Sequence, residues 1–401
     1  MEFHRVSAPD LGSSDGRLQP CIQFLGANLM EGVVHRYGRA IKSMTARLLG
    51  HGCYTLSFNR GMGGWDTLVA SLSEPGFPLS YQQYDFSDDS GFNADLHYVL
   101  SFSAGLQREV VLLGLSHTGR LFRYDTKSEI APTHFSLPQN GTLTPIALVM
   151  HKHVAWIIAC KHYGQYKLLG ADLWAGKLLF ETALIPELGK SNHVEAMVLF
   201  TANDAVYSVS DMGTGYAWLS FKHEGKSVSH KRVGEVFLQR PVWVQPGSDG
   251  RWGLVGLSDR HSDGSGRADA RYLAVVDLQT FSTVGQPLNL WDTGLGHGKS
   301  VQMAQHQVMV KMGGLDLYLL ACEFGVGIFT ISSDGKPVLL AKGSYASRPA
   351  LIRTLSIQAL VAGNRILAFV SEAFEVGDID ARDPDRTLRL QVLEFAIATN
   401  L

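Results

Sequence analysis

Three histidines stand at near-regular intervals along the chain, each close to the start of a run rich in apolar residues. They are His97 in Asp95-Leu96-His97-Tyr98, His193 in Ser191-Asn192-His193-Val194, and His297 in Leu295-Gly296-His297-Gly298. Arg240, before Pro241, and Arg348, before Pro349, hold the corresponding place ahead of intervening runs. Neutral imidazole nitrogens are ligands for zinc, manganese or iron, so His97, His193 and His297 brought together would form a site for a divalent metal. The guanidiniums of Arg240 and Arg348 would hold a carboxylate or another small anion through paired N–H donors. Each histidine taken singly also fits a rim or turn residue hydrogen-bonded to backbone, and with 15 histidines in 401 residues the pattern can arise by chance. The chemistry therefore depends on a fold that carries widely separated positions to one place.

The elements that would do this are short and extended. From residue 41 onward the chain is a succession of runs rich in Val, Ile, Leu, Phe, Tyr and Trp, cut off by Gly, Asp, Asn, Ser or Pro, with almost no helical periodicity. The segment 97–137 holds four such runs, and the same grammar returns at 144–184, 194–236, 241–290, 301–343 and 350–397. A more degenerate unit occupies 41–75, with its outer strand expected at 82–86 inside a surface crossing, 76–95. Several units share a polar hinge after the third run, as in Tyr124-Asp125-Thr126-Lys127, Val276-Asp277 and Asp334-Gly335-Lys336. Asp and Thr cap tight turns with their side chains, and Gly tolerates the positive φ such hairpins need.

Units of four strands recurring at about 40–50 residues resemble the seven-bladed β-propeller class, over residues 41–397. The fold expected is all-β, a single propeller of four-stranded antiparallel blades. A lone four-stranded sheet has two apolar faces and cannot bury either, whereas a ring of sheets buries both. The resemblance is architectural: the Gly-His and Trp-Asp pairs of WD40 repeats and the Kelch diglycine do not occur at their spacing. Residues 1–40 form an N-terminal segment, in which 20–36 is apolar enough to supply a latch strand to the first or last blade, or else a short helix plugging the ring.

Composition narrows the partners. Charged residues make up 18% of the chain, and 35 Lys and Arg against 37 Asp and Glu leave a formal charge of −2. That balance argues against a global footprint for nucleic acid or anionic lipid. Without an apolar signal-like core in the first residues or a membrane-length run elsewhere, a soluble, cytoplasmic protein is expected. Cys21, Cys53, Cys160 and Cys322 are scattered without a CxxC pair, which fits buried thiols rather than a disulfide framework or zinc site.

Other clusters carry less. His151-Lys152-His153 lies at a strand end with no carboxylate beside it in sequence. The acidic stretch 372–386, with Asp378, Asp380, Asp383 and Asp385, lacks a calcium-loop pattern and is offset by Arg382 and Arg386. The Gly/Ser-rich segment 258–271 does not run into a P-loop, and no nucleophile elbow is present. The seven tryptophans are expected mostly in cores between blades. The reading that results is a scaffold that binds a protein partner or a polar, anionic small molecule at the mouth of the ring. A propeller enzyme, a lyase, lactonase or hydrolase working through the histidines and a divalent metal, is the alternative.

Overall fold

The computed structural model describes residues 21–30, 44–49, 51–59, 64–85, 96–104, 109–116, 120–125, 133–136, 144–160, 166–172, 175–183, 197–211, 216–224, 227–237, 239–258, 270–295, 307–322, 324–346, 352–374 and 389–398. They form strands and one short 3-10 turn. Following β1 (Cys21–Leu29), the first sheet joins β2 (Met44–Leu48), β3 (Cys53–Asn59), β4 (Gly64–Ser71) and β5 (Pro78–Asp85). The second joins β6 (Leu96–Ala104), β7 (Glu109–Ser116), β8 (Arg120–Asp125) and β9 (Thr133–Ser136). The third joins β10 (Thr144–His151), β11 (Val154–Cys160), β12 (Tyr166–Asp172) and β13 (Lys177–Ala183), and the fourth β14 (Met197–Ala202), β15 (Ala205–Asp211), β16 (Tyr216–Glu224) and β17 (Ser227–Phe237). The fifth joins β18 (Arg240–Pro246), β19 (Trp252–Ser258), β20 (Tyr272–Asp277) and β21 (Ser282–Asn289), and the sixth β22 (Gln307–Met312), β23 (Leu315–Cys322), β24 (Gly325–Ile331) and β25 (Pro337–Ser344). The seventh joins β26 (Ile352–Ala362), β27 (Arg365–Phe374), β28 (Arg389–Ala398) and, in its outer place, β1.

All the pairings are antiparallel, and the sheets are arranged like propeller blades. The first strand of each sheet is the inner one: β10, β14, β18, β22, β26, β2 and β6 lie side by side in that order. The cores sit between consecutive sheets, as expected when both faces of each sheet must be covered. Trp218, fully buried, fills the space between the fourth and fifth sheets, with its ring 5.5 Å from Phe281 and 5.6 Å from Phe200. Trp156 lies between the third and fourth, 4.8 Å from Phe180 and 6.3 Å from Phe221. Gly256 makes room for Trp243, since a Cβ there would meet the indole. These tryptophans are core residues, as their positions in apolar runs imply.

The seventh sheet is shared between distant parts of the chain. Within the segment read as a latch, Cys21–Leu29 is a strand: β1 pairs with β28 from Cys21↔Ala398 to Leu29↔Gln391, with a bulge between Phe24 and Gly26. Phe24 packs 5.3 Å from Phe395 and lies over Gly343 of β25, where a side chain would strike both rings. Met30 extends the seam by donating its N–H to the Leu390 carbonyl at 2.9 Å. The outer strand of the first sheet spans Pro78–Asp85, so the crossing 76–95 holds a longer strand than the one expected at 82–86.

The cysteines differ from one uniform buried class. Cys322 is fully buried, and burial pushes its thiol up to about 12, whereas Cys21 is exposed on β1 and Cys53 is half-buried. Since the thiolate is the reactive form, a thiol reagent near neutral pH is expected to modify Cys21 in the folded protein and Cys322 only after denaturation. Peptide mapping by mass spectrometry reads the order, and early labelling of Cys322 would contradict the packing of the sixth sheet.

Candidate functional site

Antiparallel strands place all the inner-strand starts at one end of the ring, here called the mouth. The segments 30–43, 86–95, 184–196, 259–271, 290–306 and 375–388 all connect strand ends at the mouth. At the opposite end, strands turn back through joins as short as 152–153, 203–204, 313–314 and 363–364. Asn203 and Asp204, with φ of 49° and 58°, and Gly313 and Gly314, with φ of 58° and 83°, supply the left-handed pairs that two-residue hairpins require. Long connectors held on a rigid frame are the usual carriers of recognition, while tight hairpins offer little surface to adapt.

Of the residues singled out from the sequence, two lie in strands at the mouth. Arg240 is the first residue of β18 and is buried, 7% exposed, opposite Ser258 at 6%. Pro241 follows it without penalty to the ladder, because proline is tolerated at strand starts and bulges. His97 is the second residue of β6 and falls at a register shift between Leu96 and Tyr98. Comparable bulges interrupt β10 between Pro145 and Ala147, β18 between Pro241 and Trp243, and β26 between Thr354 and Ser356. A bulge near the start of an inner strand sharpens the twist and re-aims one side chain. His193, His297 and Arg348 lie outside the described residues, on connectors that lead into β14, β22 and β26. Among the described residues no group of three or more His, Cys, Asp and Glu side chains has the arrangement of a metal site. The acidic stretch beyond Phe374 and the segment 259–269 also lie outside the described residues.

The mouth-side end of the fifth sheet holds a feature that the sequence reading passed over. Arg271 donates its N–H to the Leu257 carbonyl at 2.7 Å, and Leu290 donates to the Arg271 carbonyl at 2.9 Å. Arg240, Ser258, Arg271 and Leu290 thus form one row across the sheet, from inner strand to outer. After β21 the chain makes a single 3-10 turn, Leu290–Thr293. Asn289 caps it by accepting from the Trp291 N–H at 3.1 Å, and Gly294, in the left-handed region at φ 70°, closes it. Leu290 and Leu295 are buried on either side, while Trp291 is held out at 40% exposure with the Arg271 guanidinium 4.9 Å above its ring. Lys342 of the next sheet donates to the Thr293 carbonyl at 3.3 Å. Trp291 is therefore not a core residue, unlike Trp156, Trp218 and Trp243. Its signal in the sequence is local, an Asn cap and a closing Gly around Leu-Trp-Asp-Thr.

At the opposite end, Asp204 of the fourth sheet reaches the turn of the third. It accepts from Lys152 Nζ at 2.9 Å and lies 3.7 Å from His151 Nε2. The carboxylate absent beside His151-Lys152-His153 in sequence is thus supplied by the neighbouring sheet. Burial lowers the His151 pKa, Asp204 opposes that effect and Lys152 adds to it, while the Lys152 hydrogen bond lowers the Asp204 pKa. Asp204 and Lys152 are solvent-exposed, so this pair ties two turns together with little energetic weight. Between the two ends, the inner strands of the fifth and sixth sheets meet through polar side chains: Gln307 Nε2 donates to Gln245 Oε1 at 3.4 Å.

No helix among the described residues is long and apolar enough to cross a membrane. Compared with protein-family models and with curated proteins, the chain matches none of them. What the chain is thus rests on its architecture, a propeller-like ring of four-stranded sheets.

Proposed function

We propose that the protein is a binding platform, a rigid ring that recognises a protein partner or a polar, anionic ligand at its mouth. The observation that carries this reading is a difference between the two ends: the longest connectors join strand ends at the mouth, whereas two-residue hairpins at 152–153, 203–204, 313–314 and 363–364 turn at the other end. On this reading His97, His193, Arg240, His297 and Arg348 belong to the recognition surface, with the arginines supplying fixed positive charge.

The test compares two variants of the whole chain. In one, residues 259–269 are replaced by a short Gly-Ser link; in the other, His153 and Asp204 at the opposite end are changed to Ser. The thermal midpoint of each variant checks that the ring is intact. A polypeptide that co-purifies with the wild-type protein is expected to stay with the second variant and to be lost from the first. Retention by both would contradict the platform reading. So would stoichiometric transition metal in the purified protein that disappears in His193→Ala, the outcome that favours a metal-dependent enzyme.

A further inference from the structure

A second surface lies on the outer wall of the ring rather than at its mouth. β17 is the last strand of the fourth sheet and, at 11 residues, the longest of the outer strands. One of its edges pairs with β16, and among the described residues no strand pairs with the other. The ladder with β16 runs without a break from Glu224↔Ser227 to Trp218↔Val233. It loses its regular register at Gly234, at φ 66°, where Phe281 of the fifth sheet closes on the backbone. Val228 packs on the core between the third and fourth sheets, and Val233 on the core between the fourth and fifth. The strand is thereby fixed from both faces, while every second residue directs its N–H and C=O away from β16.

The side chains along this edge are basic. Ser229, His230, Lys231 and Arg232 are all exposed, and His230, Lys231 and Arg232 have no side-chain hydrogen bond or ion pair with a described residue. Residues directly opposite in an antiparallel pair share a face. His230 and Arg232, opposite Phe221 and Leu219, therefore stand on the side of the third sheet, and Lys231, opposite Ser220, on the side of the fifth. Glu224 at the end of β16 is already held by Lys222 at 2.5 Å. Other outer strands differ: β9 has four residues, β21 contains Pro287, and Lys342 of β25 is engaged with the Thr293 carbonyl. Short strands and proline blunt an edge. Cations on an edge act more selectively. Antiparallel pairing of two copies of β17 centred on Lys231 would set Lys231 against Lys231 and His230 against Arg232, which like charges oppose. A strand with carboxylates at those places gains cross-strand ion pairs as well as the ladder.

We propose that β17 takes up an extended acidic segment of a partner protein by strand addition along Ser227–Val233, with successive carboxylates on alternate faces meeting His230, Lys231 and Arg232. The site lies apart from the mouth and does not depend on what binds there.

The probe is a fluorescent peptide with three successive glutamates set between valines and threonines, followed by anisotropy at low salt. One control replaces the glutamates with glutamine, and another methylates alternate backbone nitrogens so that a ladder cannot form. The glutamate peptide is expected to bind, and each control to bind more weakly by about fivefold or more. Lys231→Ser combined with Arg232→Ser is expected to weaken binding by a similar factor, Lys231→Arg to keep it, and added salt to reduce it. In the complex, hydrogen exchange of the backbone amides is expected to slow along Ser227–Val233. The substituted side chains lie at the surface, and the thermal midpoint of each variant checks that the ring is intact. Equal binding of the glutamate peptide and either control, unchanged affinity in the double variant, or protection confined to another part of the chain would overturn the proposal. So would a single-stranded oligonucleotide of equal charge that displaces the peptide at lower concentration. Self-association of the double variant, with no peptide binding by the wild-type protein, would mean that the cations only guard the edge, and would overturn it too.

Discussion

A chain shortened by residues 1–29 is expected to lose the cooperative unfolding of the full-length protein and to expose apolar surface at neutral pH. β1 is the fourth strand of the seventh sheet, and its loss leaves β28 with an unpaired edge along the register from Cys21↔Ala398 to Leu29↔Gln391. Ile22 leaves the core between the sixth and seventh sheets, and Phe24 leaves the face of Phe395. Losses that combine strand pairing with core burial fall in the exceptional range, above about 4 kcal/mol. Urea unfolding followed by tryptophan fluorescence measures the effect. The deletion is expected to lower the midpoint sharply, to broaden the transition and to promote aggregation through the bared edge. The milder Phe24→Ala is expected to cost about 2 kcal/mol, less than a fully buried phenylalanine because the ring is only partly covered. A shortened chain with the full-length midpoint would mean that the seventh sheet is complete without β1.

The second large effect is expected at Gly325→Ala. Gly325 opens β24 opposite Ser344 of β25, and a Cβ on it would overlap the Gly343 carbonyl oxygen and come within 3.1 Å of the Ser344 Cα. Both obstacles are backbone, so no rotamer change relieves them, and β25 must shift. β25 also carries Gly343 beneath Phe24 and Phe395, and Tyr345, just beyond its end, donates to the Cys322 and Gly325 carbonyls at 2.7 and 3.2 Å. A shift there therefore disturbs both the sixth sheet and the seat of β1. The expected cost is about 3 kcal/mol or more, at the upper end of what inserting one methyl group does to a close-packed site. Gly26→Ala is the control: no atom stands within 4 Å of its Cβ position, and its expected change is within about 0.5 kcal/mol. Denaturant midpoints of the two variants decide the matter, and equal values would contradict the close approach of β24 and β25.

The strands were legible in the sequence because their signals are local. Alternating apolar runs of five to eight residues, ended by Asp, Asn or Gly, mark sheet elements wherever they lie in the chain, and hairpins such as Ala202-Asn203-Asp204-Ala205 carry their turn type in their residues. The ring followed from their recurrence. Relations between sheets were less legible. Nothing adjacent to His151-Lys152-His153 announces Asp204, because the contact depends on how the third and fourth sheets are rotated against each other. Cys21 reads like the other cysteines, yet it faces solvent because it sits on the outer strand of its sheet. Trp291 resembles the core tryptophans by type, and only its place in a capped turn separates it from them. For the mouth, the sequence placed Arg240 and His97 at the starts of inner strands, where they lie. The conformation of long connectors is not encoded by hydrophobic periodicity, so the sequence reading of the mouth stops at the strand starts.

The closure of the ring by its own N-terminal strand is tested most directly through a native cysteine. Cys21 lies opposite Ala398 in the β1–β28 register, a separation that suits a disulfide when the strands pair as described. In Ala398→Cys, mild oxidation is expected to link Cys21 to the new cysteine within one chain, detected as a single cross-linked peptide pair by mass spectrometry. The linked protein is expected to unfold at a higher denaturant concentration than its reduced form, because the bond closes nearly the whole chain into a loop. Absence of that intramolecular link, or a link from residue 398 to a different cysteine, would contradict the ring.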